Sequence, residues 1–221
     1  MISKLTVVDL QEIKRLIYRG EGDQVEFKHK VSHPEKVIRE VVAFANAQGG
    51  HLIIGVDDDG RISGLKYADD DHFLLNKAIE ELCRPAIAFT SEILPISEKR
   101  SIIHYHIQEG EEKPYYAFLN KKHRYGKAFV RVEDRSVQAS PEIRKILKLT
   151  QRSNGAHIAY GNHERALFNY LKDHDDITIN RYREATGLEQ KEASELFIRL
   201  VLANLLKIIP REKEDLFVPV E

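Results

Sequence analysis

Two glutamates five residues apart, Glu21 and Glu26, and a run of three aspartates, Asp57–Asp59, are the residues best suited to chemistry. If the segment holding Glu26 lies beside the end of the apolar run HLIIGV (51–56), then Glu21, Glu26 and one aspartate form an all-oxygen set. Such a set suits Mg²⁺ or Mn²⁺ and the cleavage of phosphodiesters. The aspartates also have a plainer use. Asp-Asp-Gly between two apolar runs is ordinary hairpin-turn chemistry, with Gly60 supplying a positive φ. Spacing alone leaves both open.

Gly49-Gly50 follows an apolar helical pattern. One glycine there suits a helix C-cap, and two would let a backbone approach a phosphate closely and expose its N–H groups. No lysine with Ser or Thr follows, so the pair is not a Walker-type loop. The run NKKHRYGKAFVR (120–131) holds Lys121, Lys122, Arg124, Lys127 and Arg131, interleaved with His123, Tyr125 and Phe129, and contains no acid. Cations neutralise phosphates and aromatic rings stack on unpaired bases, so this run, together with Lys28, is the expected nucleic-acid contact. The alternative is a solvated hairpin tip with packed rings. His104 and His106 share one strand face at a spacing able to hold a metal, but no Cys or third His lies close in sequence. His29 and His33 flank the end of the EFK segment and are candidate phosphate contacts. No Ser/His/Asp or Cys/His nucleophile arrangement is signalled.

The elements that must position these residues follow from periodicity. Leu10, Ile13, Leu16 and Ile17 fall at helical spacing, and Gly20 stands at the cap position. QVEFK (24–28) alternates as a strand. Ser32-His-Pro-Glu35 reads as a capping box with an early proline, opening a helix with Val37, Ile38, Val41, Val42, Phe44 and Ala45 on one stripe. HLIIGV is apolar on both faces, as a central strand is, and RISG (61–64) reads as its hairpin partner. A helix over about 72–84 stops at Pro85. Strands AIAFTSEIL, SIIHYHI and KAFVRV follow, then a helix begun at Ser140-Pro141-Glu142. Periodicity lapses over 151–162, where the linker is expected. Beyond it come a helix around Ala166–Leu171, a stub of strand at ITI (177–179) and a short helix capped by Asn180. A longer helix through Leu196–Val201 and a charged hairpin complete the order of a winged helix. The expected domains are residues 1–155 and 160–221.

The composition, 42% hydrophobic and 31% charged, is that of a globular protein with material for a core. Net charge is −1, so no global field draws the chain to nucleic acid or membrane. Residues 161–221 carry −3 and the remainder +2, which makes the winged-helix segment the acidic half. Its long helix offers only Gln190, Lys191 and Ser194 for base edges, so dimerisation is as good a role for it as base reading. The single cysteine, Cys83, excludes a disulfide framework and suits a reducing cytoplasm. The first residues carry charges among their apolar positions, unlike a signal peptide or a spanning segment.

Taken together, GEGDQVEFK, AFANAQGGHLIIGVDDDGRISG, KPYY and AFVRVEDRSVQAS resemble the Schlafen AlbA_2 domain over about residues 10–150. The resemblance implies an α+β fold, a Schlafen-like mixed α/β domain, here followed by a small winged helix. It implies nucleic-acid binding, as by a DNA-binding transcriptional regulator, or else ATP binding; with the single cysteine and the acidic tail, the expectation is a homodimer in the cytoplasm, with Gly49 and Gly50 the candidate nucleotide contacts. In nuclease-active members three acids form a metal-dependent RNA-cleaving site. Two match Glu21 and Glu26, and the third matches Asp58. A divalent-metal-dependent endoribonuclease is therefore the alternative to a binding protein without catalysis. Two departures stand against it: those nucleases pair two copies of the domain in one chain, and Gly22 replaces the serine that commonly follows the first glutamate.

Overall fold

The computed structural model describes residues 10–119, 124–150 and 161–220. The chain divides into two compact units, Met1–Gly110 with Tyr115–Ser136, and Glu111–Pro114 with Val137–Glu221. The 151–160 linker lies outside the described residues, as do Lys121, Lys122 and His123.

The first unit is built on a four-stranded sheet. Its elements are α1 (Leu10–Arg19), β1 (Val25–Lys28), α2 (Pro34–Asn46), β2 (Gly50–Ile54), α3 (Ala68–Leu82), β3 (Cys83–Arg84), β4 (Phe89–Ser97), β5 (Arg100–Ile107), β6 (Tyr116–Ala117), β7 (Phe129–Val132) and the first half of β8 (Arg135–Gln138), whose last two residues are counted with the second unit. The sheet runs β1-β2-β5-β4, with β1 parallel to β2 and the other pairs antiparallel. β2 is central, as its two apolar faces require. Leu52 and Ile54 pack with α2 and α3, whereas Ile53 joins Val25, Phe27 and Ile102 beneath Ile13 and Ile17 of α1. The register of β4 on β5 slips between Pro95 and Ser97.

Several local expectations are corrected. α2 starts at Pro34 as foreseen, but Ser32 forms no capping box: His33 occupies the cap position without a side-chain bond, and its carbonyl accepts from Lys36 and Val37. α3 begins at Ala68, earlier than apolar spacing suggested, because Asp69, Asp70 and Asp71 complement the positive end of the helix dipole. RISG adds no full strand after β2; only Val56 and Ile62 bridge.

The second unit holds α4 (Pro141–Thr150), α5 (Asn162–Tyr170), α6 (Ile179–Thr186), α7 (Gln190–Leu202) and the antiparallel hairpin of β9 (Leu206–Ile209) and β10 (Leu216–Pro219). Leu167, Tyr182, Leu196, Phe197, Leu200, Leu206 and Phe217 form its core. α4 begins where Ser140 Oγ accepts from Ile143 N, 3.1 Å. Thr178, not Asn180, caps α6, its Oγ accepting from Arg181 N at 3.1 Å, and Gly187 ends the helix at φ +72°. Starting the helix two residues earlier lets Ile179 enter the core. α4 packs on α7, where Ser194 Oγ donates to Glu142 Oε1 at 2.7 Å and Lys145 pairs with Glu195 at 3.7 Å.

Candidate nucleic-acid interface

The Asp57–Gly60 segment is a turn first. Gly60 N donates to Asp57 O (2.8 Å), and Gly60 takes φ +81°. Asp57 is gripped by Arg61, whose Nε and Nη2 lie 3.0 and 2.8 Å from Oδ2, and by His29 Nδ1 at 2.6 Å from Oδ1. Those bonds, Arg61 first, hold its carboxyl below the usual range. Asp59 accepts from Arg61 N. Asp58 is exposed and has neither task.

Glu21 and Glu26 sit around β1. Burial is the main reason the Glu21 carboxyl is raised above its ordinary value; the bond from Phe27 N (2.8 Å) opposes this, and the charges of Glu26 and Asp58 add to it. Glu21 therefore feels the charges of both other predicted acids. The three do not form a ready metal cradle. Glu26 is buried, with Oε1 taken by Lys28 Nζ and Oε2 held 3.0 Å from Arg131 Nη1. A divalent ion at Glu21, Glu26 and Asp58 would compete with both cations already compensating Glu26. Among the described residues no group of three His, Cys, Asp or Glu is disposed to hold a metal. The donor set as folded does not fit Mg²⁺ or Mn²⁺.

The basic run splits. Arg131 is withdrawn from it: its side chain is 1% exposed and bonds Glu26, Glu40 (2.9 Å), Ser136 and the carbonyl of Gly22 (2.6 Å), above the Phe44 ring. It clamps β1, α2 and β7 together and is not a phosphate contact. Lys28 is likewise engaged with Glu26. Arg124 and Lys127 are exposed, and the Arg124 guanidinium lies 5.7 Å from the ring of Tyr125, itself 76% exposed.

Gly49 and Gly50 are likewise reassigned. A Cβ on Gly49, at φ +77°, would meet the Ile107 carbonyl at 2.6 Å. One on Gly50 would meet the Phe44 ring at 2.3 Å and the Gln24 carbonyl at 2.9 Å. Protein fills the space a phosphate would need on that side; the pair lets α2, β1 and β5 close on β2.

His104 and His106 have a neighbour that sequence did not offer. His51 lies opposite His106 across β2 and β5 and stacks on both rings, at 5.1 Å from His104 and 4.8 Å from His106. His51 Nδ1 is 2.9 Å from His104 Nε2, and His104 Nδ1 is 3.3 Å from Glu92 Oε1. Burial lowers both His51 and His104 to about 4.

A mixed sheet with helices on both faces, closed at its edge by a buried arginine clamp, defines an α+β domain of the kind expected. The chain belongs to the Schlafen AlbA_2 family, whose model matches residues 21–140, just over half of the chain. That membership associates it with nucleic acid. No curated protein matches significantly. Among solved structures the chain is similar to the N-terminal domain of a protein described as related to the ATP-dependent DNA helicase RecG, from Nitrosomonas europaea. Identity there is 23% and the TM-score 0.42, covering 54% of this chain and 87% of that one. It is also similar to the DIP2311 protein from Corynebacterium diphtheriae, with 15% identity and a TM-score of 0.44. That match covers 83% of this chain and 33% of the other, so the chain spans about a third of that protein's length. No helix among the described residues is long and apolar enough to cross a membrane.

Proposed function

We propose that this chain binds nucleic acid and works as a DNA-binding transcriptional regulator. The observation that carries the binding is the exposed Arg124–Tyr125 pair within a segment, 120–131, that contains no acid. Family membership supports the same class of partner.

The regulator reading draws on the second unit. α5, α6, α7 and the β9–β10 hairpin follow in winged-helix order, and Ile177 bridges to Phe217 as a strand stub would. In that reading α7 is the recognition helix. Gln190 and Lys191 are exposed, but Ser194 and Glu195 are bonded to α4. That contact takes Ser194 away from base edges, which leaves homodimerisation as a role for this segment beside base reading. The endoribonuclease alternative keeps only the influence of the Glu26 and Asp58 charges on Glu21, and ATP binding at Gly49 and Gly50 gains no observation.

The test is fluorescence anisotropy with the full chain and labelled duplex and single-stranded oligonucleotides. Replacing Lys121, Lys122 and Arg124 with alanine should weaken binding to every sequence. On duplex DNA it should reduce the log–log salt slope by about 0.9 for each phosphate that is no longer neutralised. A wild-type chain without affinity for either at low salt overturns the proposal.

A further inference from the structure

We infer that the outer face of α1 is a contact surface for single-stranded nucleic acid, with Tyr18 stacking on a base between phosphates neutralised by Lys14, Arg15 and Arg19. The inference rests on the proposed nucleic-acid function but concerns a different surface, and α1 lies outside residues 21–140 matched by the family.

The helix is amphipathic with its apolar side already used. Ile13 and Ile17 are buried in the core with Phe27, Ile53 and Ile102. On the outer side stand Lys14, Arg15, Tyr18 and Arg19, all exposed, with Glu12 the only acid. Tyr18 is 94% exposed, the most open large apolar side chain among the described residues. Tyr105, Tyr115 and Tyr182, by contrast, are all buried. The helical spacing sets Tyr18 beside Lys14 (i, i+4) and Arg15 (i, i+3). Arg15 and Arg19, also i, i+4, repel each other, a small cost to the helix that an external anion removes.

Some cations of the unit are paired and others, such as the exposed Lys36 and Lys99, form no ion pair among the described residues; what α1 adds is that its cations flank an open ring. Lys28, Arg61 and Arg131 each have a carboxylate partner. Among the described residues none of Lys14, Arg15 and Arg19 forms an ion pair, in a chain whose net charge is −1. Three uncompensated cations around an open ring match a phosphate–base–phosphate step. From Lys14 to Arg19 the helix rises about 7.5 Å, enough for about one nucleotide. The turn holding Asp58 and Asp59 bounds the surface at its far end, because Gly60 lies beside Ile17. A single strand is the occupant because only an unpaired base presents a free face to the ring. An anionic membrane fits less well, since the apolar side of the helix is committed to the core.

The experiment uses the full chain with fluorescein-labelled oligo-dT, oligo-rU and a mixed-sequence duplex across a salt series. Tyr18→Ala should weaken single-strand binding about tenfold with little change in salt slope, and Tyr18→Phe should restore it. Arg15→Ala with Arg19→Ala should lower the single-strand slope by about 1.4. Thermal melts of these variants should match wild type, since the replaced side chains are exposed. Single-strand binding unchanged by Tyr18→Ala overturns the inference, as does an equal loss on duplex. Tyr18-dependent sedimentation with phosphatidylglycerol vesicles, not competed by oligo-dT, overturns it in favour of a membrane. If the α1 variants bind normally while the Lys121/Lys122/Arg124 variant fails, this inference falls and the proposed function stands. If wild type binds no nucleic acid, the proposed function falls with it.

Discussion

Arg131 sits in the most basic stretch of the chain, yet its charge is spent inside the fold on Glu26 and Glu40. Removing one partner of such a buried cluster strands the others, so Arg131→Ala should destabilise by about 3–5 kcal/mol in urea titrations. Arg131→Lys should recover part of this, because an ammonium cannot reach Glu26, Glu40 and the Gly22 carbonyl with one planar fork. Gly60 and Asp58 separate the turn from the metal reading. Space beside Gly60 is open, with Ile17 at 3.8 Å, so Gly60→Ala is penalised by its φ of +81° alone, at about 1–2 kcal/mol. Asp58→Asn should be nearly neutral or slightly stabilising without metal, since it relieves repulsion at Glu21. Melts with and without Mn²⁺ check both. A Mn²⁺-dependent rise in wild type that Asp58→Asn abolishes would reinstate the three-acid site.

Among the elements, the paired strands β2 and β5 make the stability of the first unit depend on pH. His51, His104 and His106 share a sheet face with Glu92, and burial depresses His51 and His104 from about 6.5 to about 4 in spite of that carboxylate. The unfolded chain takes up these protons first, so the stabilisation is complete above pH 6.5 and is lost as pH falls from 6.5 toward 4. The urea midpoint should decline across that window, and His104→Gln should remove roughly half of the slope, one of two protons. An unchanged slope would show that the rings stay neutral for another reason. Sequence did less well here than for local structure. The apolar stripe of α2 and the two-faced apolar run of β2 were legible because both are periodic within a few residues. The pairing of His51 with His106 was not, since it depends on the register of strands about fifty residues apart. The burial of Glu26 and Arg131 was hidden for the same reason: an alternating strand predicts which way a side chain points, not what later covers it.

For the whole molecule, the two compact units set where the chain can be cut. α4 belongs with the tail, bonded to α7 through Glu142 and Lys145, so a cut at the 151–160 linker leaves α4 without its partner helix. A fragment ending at Ala139 should melt cooperatively. If the tail carries the dimer contact, light scattering should give a dimer for the full chain and a monomer for this fragment. Equal stoichiometry would assign any dimer to the first unit. How such a dimer forms is constrained by β4. This strand lies at the margin of the sheet, and nine residues of free backbone edge would ordinarily invite a strand from another chain to continue the ladder. Pro95 has no N–H to offer, and the register slips between Pro95 and Ser97. An incoming strand would find only Phe89–Leu94 in continuous register. Addition of a strand at this margin is therefore interrupted at Pro95, which confines any growth of the sheet along β4 to its first six residues.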